Sequence, residues 1–149
     1  MDKHIAIAFK EAVPISTKVS VEISRHLMGK ETEKAKGILK RVLEKKEAIP
    51  FKRYKKDISH RRGKIAAGKF PISASKYFLS LIKEVESNAK QQGMVSPFKI
   101  VHLVPNKGSK TWHYGRFRRI AAKRTHLEIK IQEIKKKENK TEKKIEDKK

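Results

Sequence analysis

The sequence predicts an α+β fold with three helices, three strands and a long basic β-hairpin, and three observations support this prediction. Three segments between residues 16 and 93 repeat apolar side chains at helical spacing. Alternating segments at 5–9, 98–104 and 127–132 are typical of β-strands. A polar insert that contains glycine and no acid separates the last two strands, which favours a hairpin.

The composition is typical of a single domain that binds a polyanion. The chain has 149 residues, and its 39 Lys and Arg residues against 16 acids give a formal net charge of +23. An excess of this size indicates a polyanionic partner, and nucleic acid is the leading candidate. A membrane surface is the weaker alternative, because no basic amphipathic helix stands out.

The absence of cysteine excludes disulfide scaffolds and zinc sites built from Cys ligands. The first residues do not form a signal-peptide pattern, and no apolar run reaches membrane-spanning length. We therefore expect an intracellular, cytoplasmic protein with no membrane contact. It would be soluble alone, or soluble only when bound to its partner.

The first third of the chain predicts one strand and two helices. Residues 5–9 alternate between large and small apolar side chains and predict a short edge strand. After Pro14, either Ser16 or Thr17 could cap a first helix, which Gly29 would end. The second helix is predicted from near Thr32 to the dipeptide at 45–46, where lysines suit the negative end of the helix dipole.

A third helix is predicted from about Ser73 to Gln92, with Gly93 after its end. It has the longest apolar stripe of the chain and should be the central helix of the core. Phe78, Leu81 and Ile82 belong to this stripe. The stripes of all three helices are interpreted as core packing.

Between Ala48 and Pro71 the regular periodicity disappears. A loop of this length in a small domain is usually functional or disordered. Aromatic residues lie among its cations, which favours an ordered contact with RNA through stacking and phosphate neutralisation. The alternative is a solvated, flexible loop. The cations assigned to RNA here are Arg53, Arg61, Arg62, Lys64 and Lys69, and the aromatic residues are Phe51, Tyr54 and Phe70.

One near-motif in this loop does not predict a nucleotide site. Residues 63–69 fit G-x-x-x-x-G-K, but Phe70 occupies the position where a P-loop needs Ser or Thr for Mg²⁺. Pro71 follows at once, and the preceding segment is a charged loop rather than an apolar strand. The match is interpreted as a coincidence of a loop rich in Gly and Lys.

Catalytic and metal-binding motifs are absent from the sequence. The six histidines have no metal-ligand spacing, and neither HExxH nor CxxC occurs. His113 lies between Trp112 and Tyr114, where a ribonuclease-like His/Lys pair could be imagined. A mobile basic tip is a poor preorganised site, however. We therefore predict no enzyme activity, metal, cofactor or small-molecule substrate.

The insert at 105–124, called the arm below, carries seven cations and no acid. These cations could neutralise RNA phosphates, and three aromatic residues could stack on unpaired bases. The cations are Lys107, Lys110, Arg116, Arg118, Arg119, Lys123 and Arg124, and the aromatic residues are Trp112, Tyr114 and Phe117. Residues 135–149 hold eight Lys, four acids and one apolar residue. They predict a tail that is disordered or ordered only by a partner.

Several stretches carry a resemblance to a known family. They are residues 15–30 with Glu33 and Ala35, then 50–54, His60, 63–71, 88–89, 92–93, 100–102 and 125–129. In this order, over roughly residues 1–134, they resemble the universal large-subunit ribosomal protein family L twenty-two, in its archaeal and eukaryotic branch. The arm differs from the family's usual Pro-Arg-Ala order, because it reads Trp112-His113-Tyr114-Gly115-Arg116.

This resemblance implies three helices packed on a small three-stranded antiparallel sheet, with a protruding basic hairpin. It implies a single RNA-binding domain at 1–134 that binds large-subunit ribosomal RNA and neighbouring ribosomal proteins. It also implies that the hairpin reaches the wall of the nascent-peptide exit tunnel. Lys18 and Lys30 of the first helix and turn are expected to join the loop cations on RNA phosphates. The chief rival, a DNA-packaging or regulatory protein, predicts a groove-reading helix or dimer symmetry.

Overall fold

The computed structural model describes residues 5–117 and 119–134. Its elements are β1 Ile5–Val13, α1 Thr17–Leu27, α2 Thr32–Leu43, β2 Ile49–Pro50, β3 Gly68–Lys69, α3 Ile72–Gln91, β4 Phe98–Lys107 and β5 Thr125–Glu133. A 3₁₀ turn spans Gly115–Phe117. The predicted α+β class is confirmed. The predicted tail at 135–149 lies outside the described residues.

The main sheet has the order β1-β5-β4, and both pairings are antiparallel. Alternate residues of the central strand, Leu127, Ile129 and Ile131, are completely buried. They join the apolar stripes of the three helices in one core cluster. The helices therefore cover one face of the sheet and leave the other face more open, which gives β5 its alternating burial.

Strand β1 buries its small residues and exposes its large ones. Ala6 and Ala8 face the core, whereas Ile5, Ile7 and Phe9 are 43%, 49% and 49% exposed. Helix α3 packs on this strand, and small inward side chains let the helix lie close to it. The predicted edge position of this strand is confirmed, and the strand continues to Val13 past a bulge.

Both edges of the main sheet have polar cover. On β1, the side-chain amide of Asn88 in α3 donates to the Ile7 carbonyl at 2.9 Å. On β4, the Ile100 backbone N–H donates to the Lys30 carbonyl, and the Gly29 N–H donates to the Ile100 carbonyl, both at 3.0 Å. The turn between α1 and α2 needs Gly29 at φ +78° to make this contact. Covered edges protect such a sheet from pairing with other chains.

The observed helix ends differ in detail from the predicted ones. Ser16 occupies the N-cap position of α1, but its side chain makes no capping hydrogen bond. Helix α2 ends at Leu43 rather than at 45–46, because Lys45 adopts a left-handed φ of 58°. The backbone N–H groups of Lys46 and Glu47 then turn back to the Arg41 carbonyl. The lysines therefore follow the helix rather than end it.

The arm continues the β4–β5 ladder as a hairpin. Gly108 N–H donates to the Arg124 carbonyl at 3.1 Å, and further out Ala122 N–H donates to the Thr111 carbonyl at 2.7 Å. The pair His113 and Ile120 lies closest to the 3₁₀ turn. The predicted hairpin is thus confirmed, with strands that extend three residues beyond the predicted 98–104 at β4.

Across the described helices, none combines the length and the apolar character that a membrane crossing requires.

Helix α3 provides a direct test of the core. Leu81 is completely buried within the core cluster. We expect Leu81→Ala to lower the free energy of unfolding by ~2–5 kcal/mol, the range for large-to-small core substitutions. Lys83→Ala, at an exposed position of the same helix, is the matched control. Urea unfolding of both variants measures the effect, and equal stability would show that α3 is wrongly placed.

Candidate nucleic-acid interface

A buried carboxylate organises the start of the basic loop, defined here as residues 51–67. Glu22 of α1 is only 2% exposed. Its carboxylate accepts hydrogen bonds from the backbone N–H groups of Lys52 at 3.1 Å, Arg53 at 2.8 Å and Tyr54 at 2.7 Å. A loop without regular structure otherwise leaves such N–H groups to water. Glu22 therefore holds the backbone of residues 52–54, which carries the cationic side chains of Lys52 and Arg53.

The ionisation of Glu22 is favoured in the folded protein. Burial by itself would raise the pKa of Glu22, but the N–H groups of Tyr54, Lys52 and Arg53, with the nearby charge of Arg25, lower that pKa below its ordinary value. A lowered pKa means that this contact stabilises the fold at pH above the ordinary carboxyl pKa. The contribution is lost as the pH falls through the folded-state pKa.

Tyr54 connects α1 with the basic loop through two cations. The Arg53 guanidinium lies 5.3 Å from the centre of the Tyr54 ring, and the Lys18 ammonium lies 5.9 Å from it. Cations at these distances are attracted by the negative face of the ring. The structure therefore brings together Lys18 and Arg53, which the sequence assigned to RNA binding, and Tyr54, one of the aromatic residues of the same predicted contact.

The rejected P-loop match has a packing role instead. The loop closes on itself where Ile49 pairs with Lys69 and Pro50 pairs with Gly68. A Cβ atom at Gly68 would come within 2.9 Å of the Arg61 side chain. Glycine thus leaves room for Arg61, whose guanidinium lies 5.4 Å from the centre of the Phe70 ring. Gly68 therefore allows Arg61 to take its place beside Phe70 and is not part of a nucleotide site.

Five groups that can carry positive charge line one concave surface beside this stack, called the basic pocket below. Its lining residues are Lys45, Lys46, Ala48, His60, Arg61, Arg62 and Phe70. Within residues 5–117 and 119–134 no acid belongs to this lining, although Glu44 next to it forms an exposed ion pair with Lys46 at 2.7 Å. Converging cations without a lining acid suit an anion such as a phosphate group.

The remaining body residues assigned to RNA lie apart from this pocket. Lys64 and Lys69 are exposed, the first on the basic loop and the second on β3. Lys30 lies in the turn after α1, where its ammonium is 3.3 Å from His26 Nε2. Burial lowers the pKa of Lys30, while Glu47 acts in the opposite direction. Burial also lowers the pKa of His26, followed by the charge of Lys30, which suits a neutral ring that accepts from the lysine.

The arm presents most of its assigned residues to solvent. Trp112 is 70% and Tyr114 is 94% exposed. The exposed cations of the arm are Lys107, Lys110, Arg116, Arg119 and Lys123. The backbone of Phe117 ends the 3₁₀ turn, and Arg118 lies outside the described residues. Exposed aromatic and cationic groups on one hairpin can stack on bases and neutralise phosphates.

The base of the arm is locked to the body by polar contacts. The buried Thr125 hydroxyl donates to the Ile15 carbonyl at 2.9 Å and lies 2.9 Å from the Thr17 hydroxyl. Because Thr125 has one proton to donate, Thr17 is the donor in the second contact. The Arg124 guanidinium donates to the Ala12 carbonyl at 3.2 Å. Arg124 is therefore partly committed to the fold, unlike the exposed cations beyond it.

Sequence reasoning missed Glu22 and Thr125 as residues that position the interface, and Asn88 as a residue that covers the β1 edge of the sheet. Glu22 had a detectable signal, because it lies next to Ile23 on the inward face of α1 in a chain with few acids. The other two belong to the family landmarks but had no physical role assigned. Within residues 5–117 and 119–134, no cluster of His, Asp or Glu side chains is arranged to hold a metal ion.

We expect Glu22→Gln to release the start of the basic loop. Glutamine keeps the size but offers one acceptor oxygen and a clashing NH₂ group to three N–H donors. The free energy of unfolding should fall by ~1–3 kcal/mol, the cost of unsatisfied buried polar groups. Hydrogen exchange at residues 52–54 should accelerate. Glu33→Gln, which makes the same charge change at an exposed site of α2, should leave hydrogen exchange at residues 52–54 unchanged. Unchanged exchange in Glu22→Gln would contradict this role.

Comparison with known proteins identifies the family. The family model described as Ribosomal protein L22p/L17e matches residues 8–132. The chain is 39% identical over 132 residues to large ribosomal subunit protein uL22 of Ignicoccus hospitalis. This match covers 81% of this chain and 83% of that protein. It is 36% identical over 144 residues to the uL22 protein of Staphylothermus marinus, covering 89% and 92% of the two chains. It is also 39% identical over 142 residues to the uL22 protein of Nanoarchaeum equitans, and this match covers 89% of this chain and 81% of that protein. With its three helices, antiparallel sheet and basic hairpin, the chain belongs to the ribosomal protein L22p/L17e family, in its archaeal form.

Proposed function

We propose that this protein binds ribosomal RNA in the large subunit, aids its assembly and extends its arm to the wall of the nascent-peptide exit tunnel. Members of the family are structural ribosomal proteins rather than enzymes. Its partners would be large-subunit RNA, neighbouring ribosomal proteins and the nascent peptide. Its location would be the ribosome in the cytoplasm.

The distribution of ion pairs is the observation that carries this proposal. In the part of the chain that the structure describes, the ion pairs join acids to cations outside the basic loop and the arm. Lys10 pairs with Glu84 and Lys36 pairs with Glu86, for example. Two of these pairs join separate elements and the others are local, whereas the described cations of the basic loop and the arm form no ion pair and suit an external polyanion. Phosphate neutralisation by such cations dominates affinity for nucleic acids.

The positions of these cations favour RNA over the rival DNA-binding function. A regulatory DNA-binding protein usually places a recognition helix in the major groove. Here the exposed arginines lie on an irregular loop and on a hairpin, and the hairpin also exposes Trp112 and Tyr114. Phe51 of the loop, by contrast, is buried in the core, so its predicted stacking on RNA is wrong. Irregular loops and hairpins suit the unpaired bases and irregular backbone of folded RNA. Membership of a ribosomal family supports the same choice.

The arm and the body are proposed to have separate tasks. The body contacts, from Lys18 and Lys30 to the basic pocket, would dock the protein on ribosomal RNA. The exposed tip around Trp112 and Tyr114 would pass between RNA segments to the tunnel wall. The polar lock at Thr125 supports this division, because it sets the direction of the arm from the body.

Binding to large-subunit RNA should weaken steeply as salt rises. Each phosphate contact changes the slope of log affinity against log salt by ~0.7–0.9. Replacing both Arg61 and Arg62 by Gln should therefore reduce the slope by about 1–2. The control replaces Lys83 and Lys90, two exposed lysines of α3, and should leave the slope closer to that of the wild type. A nearly flat salt dependence of the wild-type protein would refute the proposal.

The arm can be shortened at a defined pair of hydrogen-bonded residues on its two strands. Because Gly108 pairs with Arg124, residues 109–123 can be replaced by the turn dipeptide Asn-Gly. We expect an intact fold and initial RNA docking close to that of the wild type, with altered late packing of the subunit and altered peptide-dependent stalling. Subunit assembly followed by translation of a stalling peptide measures both effects.

A second arm variant separates the length of the arm from its chemistry. It replaces residues 109–123 by a Gly/Ser segment of equal length and should share the defects of the shortened form if cations and aromatic residues are what matter. Failure of the shortened protein to join the particle at all would show that the arm is the main anchor.

A further inference from the structure

A cleft with mostly apolar walls separates the first turns of α1 and α3. The side chains that form these walls are Pro14, Ile15, Val19, Phe70, Pro71 and Ile72. Small or short residues, among them Ser73 and Ala74, line the rest and leave the cleft open to solvent. An open apolar cleft in a chain with a net charge of +23 is unexpected for a surface that only meets phosphates.

Two cations stand at the rim of this cleft. Lys69 lies on β3, and Lys123 reaches the cleft from the arm. Both are exposed, and among the described residues no acid lines the cleft. An apolar interior with a cationic rim matches the chemistry of a nucleotide, whose base has flat apolar faces and whose flanking phosphates are anionic.

Phe70 connects the cleft with the basic pocket. Its side chain lines both concave surfaces, and Arg61 stacks on its ring. An RNA strand with phosphates in the basic pocket would therefore pass the mouth of the cleft. This continuity favours RNA as the occupant over an apolar segment of another protein.

We propose that the cleft takes one unstacked base of the bound ribosomal RNA, and that Lys69 and Lys123 hold the phosphates on either side of it. This inference rests on the proposed function, which it refines from phosphate neutralisation to recognition of a single flipped-out nucleotide. Because Lys123 belongs to the arm, the base would be held between the body and the arm.

The test fills the cleft without changing charge. Ser73 is an exposed residue of the lining, and Ser73→Trp would occupy the cleft with its own indole ring. Ser87→Trp, at an exposed position later in α3, is the matched control. The full chain is bound to large-subunit ribosomal RNA, and affinity is measured together with base-specific chemical modification and backbone cleavage.

We expect one unpaired base to be protected by the wild type and by Ser87→Trp, and to become reactive with Ser73→Trp. Affinity should fall about 5- to 150-fold, the fold-change that corresponds to ~1–3 kcal/mol for the stacking of one base. The backbone cleavage pattern should change little, because the basic pocket still holds the strand. Thermal melting should show that both variants remain folded.

A second pair of variants tests the rim. Replacing Lys69 and Lys123 by Gln should expose the same base, whereas replacing Lys83 and Lys90 by Gln removes equal charge and should keep it protected. If Ser73→Trp binds as tightly as Ser87→Trp with the same base protections, the inference is wrong and the proposed function stands. If the wild-type chain does not bind the RNA at all, both are wrong.

Discussion

The hydrogen bonds to the Glu22 carboxylate are the contact on which the ordered presentation of the basic loop depends. Burying an unpaired carboxylate costs several kcal/mol, and a hydrogen bond to a charged group contributes ~1.5–3 kcal/mol. One such bond would not offset the cost, whereas three backbone N–H groups and the charge of Arg25 lower the pKa of Glu22 despite its burial. The same carboxylate reduces repulsion among the loop cations. Its hydrogen bonds hold the backbone of Arg53 and Tyr54, whose ring lies 5.9 Å from the Lys18 ammonium.

Different interactions stabilise the body and the arm, and the two parts meet at Thr125. The body is a continuous apolar core that includes Leu81 and Ile129. The arm has few apolar side chains and depends on backbone pairing between 108 and 124. Its direction is set by short-range polar contacts at its base rather than by packing along its length. This arrangement allows an exposed, self-repelling ribbon to leave a stable domain in one defined direction.

Periodicity in the sequence predicted the elements because burial repeats locally, at 3.6 residues in helices and 2 in strands. It did not predict which face of β1 is buried, since large side chains at Ile7 and Phe9 suggest the opposite of what close packing against α3 requires. The contacts of Glu22 with residues 30 to 32 positions away are equally invisible to a local pattern. The cations of the interface could be named from composition. Their grouping around Phe70 and Tyr54 depends on tertiary structure and could not.

Because the cations are grouped in this way, RNA binding depends less on the number of cations than on the positions of the acids. The chain has 16 acids. In the described residues, those in ion pairs lie outside the basic loop and the arm, and two of the pairs, Lys10–Glu84 and Lys36–Glu86, join separate elements of the body. Had the acids been spread evenly, each loop cation would meet a neighbouring carboxylate, and release of counterions on RNA binding would be small. Because most of the acids in the described residues lie outside the basic loop and the arm, with Asp57 the exception in the loop, both regions keep a large excess of positive charge. A polyanion can meet these regions in few orientations, so the distribution of charge determines orientation as well as affinity.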